Sequence, residues 1–182
     1  MRVVERILNG LVLLESKAFT DSRGLFFESF NQKLFDELID EKINFIQDNH
    51  SSSIQNVIRG LHLQAPPFAQ GKLVRVASGK VYDIAVDVRK SSSTYGNHFG
   101  IELSDQNNLM LWIPPGFAHG FSTLENNSIF LYKCTGYYNK SAEMTILHND
   151  PDLMINWKVN NPVISDKDLE GTSFKTFNSP FN

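Results

Sequence analysis

The chain has 182 residues, which is about the length of one globular domain. Apolar residues make up 41% and charged residues 20% of the sequence, so a disordered, collagen-like or coiled-coil chain is excluded. The net charge of −3 excludes a global attraction to nucleic acid or to an anionic membrane, so local charges must hold any anionic ligand. We expect a single domain over residues 1–182.

The N-terminal segment and the cysteine content favour a cytoplasmic protein. Residues 1–15 carry charged side chains among the apolar ones and contain no small-residue cleavage site, so a secretory signal is not expected. The longest uncharged stretch, residues 106–124, is interrupted by two prolines and does not predict a membrane span. Cys134 is the only cysteine, which excludes an intramolecular disulfide and a Cys-rich zinc site.

Most of the chain has the periodicity of short strands. One helix is predicted after Asn31, a suitable N-cap, because the apolar residues of 34–39 share one helical face. Further along the chain, apolar alternation and short apolar runs predict strands separated by polar turns. These strands cover residues 82–88, 99–103, 109–113 and 128–133. The pattern indicates an all-β sandwich, jelly roll or barrel, with residues 171–182 as a tail on the surface or on a partner subunit.

Two histidines lie in separate β segments, and each is close to glycine. His62 belongs to residues 56–64 (NVIRGLHLQ), and His119 belongs to residues 113–121 (IPPGFAHGF). From the residues alone, they are metal ligands, an acid/base pair or hydrogen-bonded core histidines. A cupin-type metal site needs His-x-His followed by a carboxylate, whereas this chain has His62-x-Gln64 and no glutamate close behind. The ligand set is incomplete, so we expect no bound metal.

Several basic residues occur singly in apolar or structured stretches, at Arg23, Arg59, Lys72, Arg75 and Lys167. Burial of an unpaired cation is costly, so Arg59 and Lys72 need carboxylate or phosphate partners. Structural salt bridges would satisfy them. A bound pyrophosphate would also do so, because its oxygens suit the planar fork of arginine.

The order of these segments resembles the dTDP-4-dehydrorhamnose 3,5-epimerase family from about Arg2 to Asp168. In chain order, the motifs are residues 19–28 (FTDSRGLFFE), 45–51 (FIQDNHS), 57–64 (VIRGLHLQ), 70–75 (QGKLVR), 114–121 (PPGFAHGF), 132–133 (YK), 150–157 (DPDLMINW) and 165–168 (SDKD). The resemblance implies an all-β, cupin-type jelly roll with a few short helices and a dTDP-sugar substrate. It also implies an enzyme without metal or other cofactor, and a homodimer that exchanges N-terminal strands.

The same resemblance assigns roles to individual residues. His62 would be the general base, Tyr132 the general acid on the opposite face of the sugar, and Asp168 the partner that orients His62. Lys72, with His119, would surround the reacting carbonyl. The residues that would hold the nucleotide sugar are Arg23, Phe26, Glu28, Gln47, Asn49, Arg59, Glu143 and Lys167, and Tyr138 would stack on thymine. Without the resemblance, Tyr132 would be read as a packing residue and Asp168 as an exposed turn residue.

The chemistry of the implied reaction agrees with these roles. Loss of a proton from C3 or C5, which both flank the C4 ketone, leaves an enolate whose oxygen Lys72 would stabilise in a water-poor cavity. Inversion then needs a second group on the other face of the ring. Strict strand alternation would put Arg59 and His62 on opposite faces, so we expect a bulge at Gly60.

Two other functions fit the same fold. One is a 3-only epimerase or a ketoisomerase acting on a related dTDP-sugar. Such an enzyme would keep the general base and the residues that bind the nucleotide. The other is a non-catalytic cupin that only binds a nucleotide sugar. The combination of His62, Tyr132 and Asp168 argues against the second, because binding alone needs neither a proton donor nor a proton acceptor.

Overall fold

Two antiparallel sheets form the body of the computed structural model, which describes residues 1–182. The strands are β1 (Arg2–Ile7), β2 (Leu11–Glu15), β3 (Ala18–Asp21), β4 (Gly24–Phe27), β5 (Gln47–Ser53), β6 (Ile58–Gln64), β7 (Lys72–Ser78), β8 (Lys80–Asp87), β9 (His98–Ser104), β10 (Leu109–Ile113), β11 (Phe117–Thr123), β12 (Ser128–Cys134) and β13 (Glu143–Thr145). The helices are α1 (Gln32–Ile39) and α2 (Asp166–Leu169), with short 3-10 turns at Lys140–Ala142 and Phe174–Thr176. The all-β prediction is confirmed.

The strand order explains where the core lies. One sheet has the order β1-β2-β10-β7-β12-β5, the other has the order β13-β6-β11-β8-β9, and β3 pairs only with β4. A cluster of 12 buried apolar residues from both sheets fills the space between them. All four residues Leu11–Leu14 are buried because β2 is covered on both faces: Leu11 and Leu13 join this cluster, whereas Val12 and Leu14 pack beneath α1.

The predicted helix is confirmed, together with its N-cap. The Oδ1 atom of Asn31 accepts a hydrogen bond from the backbone N–H of Leu34 at 3.1 Å, and the helix ends at Asp40 in the left-handed conformation. Phe35 is fully buried on the inner face of α1, where it meets the edge of Trp112 at 5.5 Å between ring centroids. The helix therefore covers the outer face of the six-stranded sheet.

The four predicted strands are present, and their bounds differ from the prediction by at most two residues. They correspond to β8, β9, β10 and β12. The elements that were not predicted include β1 to β5, β7, β13 and α2. The residues of β5 are polar and show no apolar alternation, and the three and four residues of β13 and α2 are too few to show a period. Neither helix has the length and apolar character needed to cross a bilayer.

The C-terminal residues 171–182 pack against their own chain. Phe177 is buried in a cluster with Val86 and Val88, and the hydroxyl of Ser179 donates a hydrogen bond to the carbonyl of Val88. Asp150 fixes the start of this segment, because its Oδ2 atom accepts hydrogen bonds from the Ser173 hydroxyl at 3.0 Å and the Phe174 N–H at 2.7 Å. The preceding helix, α2, contacts β6, and Asp168 accepts a hydrogen bond from the backbone N–H of Gly60 on that strand.

Candidate active site

A cavity of about 470 Å³ opens between the two sheets, where polar side chains replace the apolar ones of the core. Lys72 precedes the core residue Val74 in the inward row of β7, and Tyr132 follows the core residue Phe130 in that of β12. A second lobe of about 300 Å³ shares His62, Lys72, Tyr132 and Glu143 with this cavity. The main cavity is lined by His50, Ser51, Arg59, His62, Lys72, His119, Phe121, Phe130, Tyr132, Glu143, Ser165, Lys167 and Asp168.

His62 and Asp168 form a close pair at the wall of the cavity. The Nε2 atom of His62 lies 2.6 Å from Oδ1 of Asp168, although 106 residues separate them in the chain. Burial raises the pKa of the Asp168 carboxyl, but hydrogen bonds from His62, Gly60 and Ser165 outweigh this effect and lower the pKa overall. The carboxylate therefore stays charged at neutral pH. Asp168 is only 3% exposed, so its reading as an exposed turn residue is wrong.

A bulge at Gly60 brings Arg59 and His62 to the same cavity. His119 of β11 pairs with His62 of β6, and Phe121 pairs with Arg59, so β6 contains one extra residue between these pairs. Gly60 has a φ of +121°, and a Cβ atom there would lie 2.5 Å from the Cα of Gly120. Only glycine fits this close approach, so the expected bulge is confirmed.

Lys72 has no carboxylate within ion-pair distance. Burial lowers the pKa of its ammonium group, while the nearby groups Cys134, Asp83 and Glu143 act in the opposite direction. On the neighbouring strand β12, burial raises the pKa of Tyr132, so its phenol keeps its proton at neutral pH. The cavity thus holds a lysine amine without an ion-pair partner and a neutral proton donor.

His119 is part of a second histidine–aspartate pair, with Asp83 of β8. Its Nε2 atom lies 2.9 Å from Oδ2 of Asp83, and both side chains are buried. Burial lowers the pKa of His119, and Asp83 opposes this shift. Asp83 was not among the residues predicted from the sequence. The available signal was an acidic residue in the middle of the apolar alternation of β8.

Five of the predicted nucleotide-binding residues line the two lobes: Gln47, Asn49, Arg59, Glu143 and Lys167. Tyr138 also lines the smaller lobe and remains 51% exposed. Glu143 connects two of the predicted residues, because its carboxylate accepts hydrogen bonds from Lys167 Nζ at 2.5 Å and from the Tyr138 hydroxyl at 3.0 Å. These contacts cross-link the rim of the site.

The remaining three predicted residues, Arg23, Phe26 and Glu28, lie outside the cavity of their own chain. Arg23 and Phe26 belong to the β3–β4 hairpin and Glu28 follows it, and all three residues are exposed. Arg23 pairs with Asp21 at 2.6 Å, and Phe26 is 71% exposed. A single chain therefore does not bring them to His62, and their binding role stays a prediction that needs a second subunit.

No group of three or more His, Cys, Asp or Glu side chains gathers in a geometry that could hold a metal ion. Gln64 takes the place of the second histidine of a cupin ligand set, and its amide oxygen accepts the backbone N–H of Asn139 at 2.9 Å.

Fold and site together define an epimerase built on a cupin-type jelly roll. A family model described as dTDP-4-dehydrorhamnose 3,5-epimerase matches residues 5–176. The chain belongs to the dTDP-4-dehydrorhamnose 3,5-epimerase family, as the motifs in its sequence predict.

Two curated relatives and one solved structure illustrate the likeness. The dTDP-4-dehydrorhamnose 3,5-epimerase of Salmonella typhimurium is 52% identical over 169 residues, which cover 92% of each chain. That of Shigella flexneri is 49% identical over 174 residues, which cover 96% of each chain. The crystal structure of dTDP-6-deoxy-D-glucose-3,5-epimerase from Legionella pneumophila in complex with dTDP-4-keto-L-rhamnose superposes with a TM-score of 0.93 at 41% identity, covering 97% of this chain and 94% of that chain.

Proposed function

We propose that this protein inverts C3 and C5 of dTDP-4-dehydro-6-deoxy-D-glucose, yielding dTDP-4-dehydro-L-rhamnose for dTDP-L-rhamnose biosynthesis in the cytoplasm. The observation that carries the proposal is the His62–Asp168 pair, at 2.6 Å, facing a cavity that Tyr132 also lines. A base and a neutral phenol in one cavity are what inversion of a carbon acid needs.

In the first step, His62 removes the proton from C3 or C5, and the electron pair of the C–H bond forms an enolate with its charge on the C4 oxygen. Asp168 acts through His62: its carboxylate fixes the ring and stabilises the imidazolium that forms. The ammonium group of Lys72 stabilises the enolate oxygen, an effect that is stronger in a cavity than in water.

In the second step, the Tyr132 phenol gives its proton to the opposite face of the same carbon, and the C4 carbonyl forms again. Solvent then returns a proton to Tyr132 and accepts one from His62, so the enzyme is restored without an oxidant or a reductant. Repetition at the second carbon completes the reaction. His119 lies beside His62 across the β6–β11 pair and, with Lys72, flanks the carbonyl.

The experiment that tests this function is the reaction in D2O, followed by proton NMR of the sugar. We expect deuterium at both C3 and C5 of an inverted product. Deuterium at C3 alone would instead identify a 3-only epimerase. A dTDP-sugar that binds but exchanges no hydrogen would identify a non-catalytic binding protein.

Arg59 is expected to hold the diphosphate of the nucleotide. Its guanidinium lines the cavity and has only the Ser53 hydroxyl, at 3.2 Å, as a partner. Charge-assisted hydrogen bonds contribute roughly 1.5–3 kcal/mol, so Arg59→Ala should weaken dTDP binding by more than about tenfold. Calorimetry with Arg75→Ala provides the matched control, because Arg75 lies outside the cavity lining. Equal dTDP affinities for the two variants would contradict the assignment.

A second copy of the chain is the proposed source of Arg23, Phe26 and Glu28. The β3–β4 hairpin exposes 55% of Phe19 and 71% of Phe26, and its strands pair with no other strand of the chain. An exchanged hairpin would bury these rings and bring Arg23 to the partner's cavity.

Subunit mixing tests this arrangement. We expect His62→Ala and Arg23→Ala proteins to be weakly active separately at low substrate concentration. Random mixing should restore about a quarter of the parental sites, because half of the dimers carry one intact site. A mixture no more active than the average of its two components would show that each site lies within one chain.

Activity is expected to be independent of metal. A catalytic zinc site normally has three protein ligands, and at the cupin ligand positions this chain offers only His62 and His119. Prolonged dialysis against EDTA should leave kcat unchanged. Loss of activity that a divalent ion restores would overturn this prediction.

A further inference from the structure

Residues 135–139 join β12 to the 3-10 turn at Lys140–Ala142 and carry Tyr138, and we call them the Tyr138 loop. The loop contributes no strand to either sheet. The hydroxyl of Tyr138 contacts Glu143, but this contact holds only the tip of a half-exposed ring. Other contacts must therefore fix the backbone from which the ring projects.

Thr135, at the start of the loop, forms two hydrogen bonds with Gly71, and side chains of three glutamines hold the residues that follow. Gln47 of β5 accepts the N–H of Tyr138 at 3.0 Å, and Gln64 of β6 accepts the N–H of Asn139 at 2.9 Å. Gln70, just before β7, donates from Nε2 to the carbonyl of Gly136 at 2.6 Å. The loop is thus attached to both sheets by neutral amides.

Gln64 has the most confined of these positions. It is 6% exposed and lies two residues after His62 on β6, where alternation turns both side chains to the same lobe. Its amide reaches the loop without adding charge beside the Glu143 carboxylate, whose residue pairs with Gln64 across β13 and β6. The feature that makes Gln64 unsuitable as a metal ligand suits it to this contact.

We propose that Gln64 and Gln70 are positioning residues that hold Tyr138 in place for the nucleotide base. This inference rests on the proposed function and adds to it the residues that set affinity for the base. A loop already fixed in its binding conformation loses less conformational entropy when the ligand binds, so the two amides strengthen nucleotide binding without touching the proton transfers. The two amides therefore raise the affinity only for ligands that carry a nucleotide base.

Replacement of Gln64 by methionine keeps the side-chain length and removes the acceptor. We expect the dissociation constant of dTDP and the KM of the sugar nucleotide to rise about tenfold, with kcat within about threefold of the parental value. Affinity for inorganic pyrophosphate, which has no base, should stay unchanged. Gln70→Met, which removes the donor to Gly136, should behave in the same way. Gln55→Met is the matched control, because Gln55 contacts Leu124 and Asn126 and does not line either lobe.

A double-mutant cycle separates action through Tyr138 from a general structural effect. In a Tyr138→Ala background, Gln64→Met and Gln70→Met should cause no further loss of dTDP affinity, because the ring that they position is absent. Additive losses, an equal loss of pyrophosphate affinity, or parental dTDP affinity in both glutamine variants would each overturn the inference. Gln70→Met provides the same test if Gln64→Met does not fold.

The Tyr138→Ala variant also distinguishes this inference from the proposed function. Parental dTDP affinity in Tyr138→Ala would remove base stacking from the proposed site, and the inference would fail with it. Weak dTDP binding in Tyr138→Ala, together with normal binding in both glutamine variants, would overturn the inference alone.

Discussion

Replacement of His62 by alanine is expected to lower kcat by about 10²–10⁴-fold, the usual contribution of a general base. The same variant should stop the exchange of the C3 and C5 hydrogens with solvent, because no enolate forms without proton abstraction. Proton NMR in D2O measures both quantities on one sample. The dTDP affinity should change much less, since the side chains proposed to bind the diphosphate and the base are other residues.

The matched control is His98→Ala, which removes an exposed imidazole on β9 and should leave exchange and turnover at the parental rate. Asp168→Asn should lower kcat and hydrogen exchange less than His62→Ala does, because His62 remains but the amide no longer stabilises its imidazolium. Hydrogen exchange at C3 and C5 at the parental rate in His62→Ala would exclude His62 as the base.

The Asp168 carboxyl also predicts a pH dependence. Its pKa is lower in the folded protein than in the unfolded chain, so the pair stabilises the fold above the ordinary carboxyl pKa. That stabilisation is lost as the pH falls through the lowered value. In Asp168→Asn, the free energy of unfolding should therefore depend less steeply on pH in the acidic range, which thermal unfolding at a series of pH values measures.

The sequence predicts the local structure well because periodicity is a local property. Apolar alternation gives β8 and β9, and Asn31 with the apolar face after it gives α1. The bulge at Gly60 was predictable for a different reason. Strict strand alternation puts Arg59 and His62 on opposite faces, whereas the site implied by the resemblance needs both, and the glycine between them can adopt the backbone conformation of a bulge.

Contacts between residues far apart in the chain could not be predicted from the sequence without the resemblance. His62 and Asp168 are 106 residues apart, and no period of a strand or helix relates them. The contacts of Asp83 with His119 and of Gln64 with Asn139 were missed for the same reason, since each forms only when segments distant in the chain come together. The proposed role of the hairpin residues Arg23 and Phe26 would extend this limit to contacts between two chains.

Replacement of Tyr132 by phenylalanine is expected to separate exchange from inversion. The ring keeps its packing against Phe130, at 5.9 Å between centroids, but the proton donor is lost. Formation of inverted product should fall by about 10²–10⁴-fold. His62 can still remove a proton and return one from solvent to the same face, so deuterium should enter C3 or C5 without a change of configuration.

The decisive quantity is therefore the ratio of deuterium incorporated to inverted product, which NMR and chiral analysis of the sugar give on one reaction. A ratio well above the parental value identifies Tyr132 as the general acid. In that case His62 still removes the proton from the sugar, but no group donates a proton to the opposite face. A fall in exchange and inversion by the same factor would mean that Tyr132 supports abstraction and does not deliver the proton. Inversion at the parental rate would require another donor, and Tyr138 and a water molecule are the candidates, because both can reach the exposed lobe of the cavity.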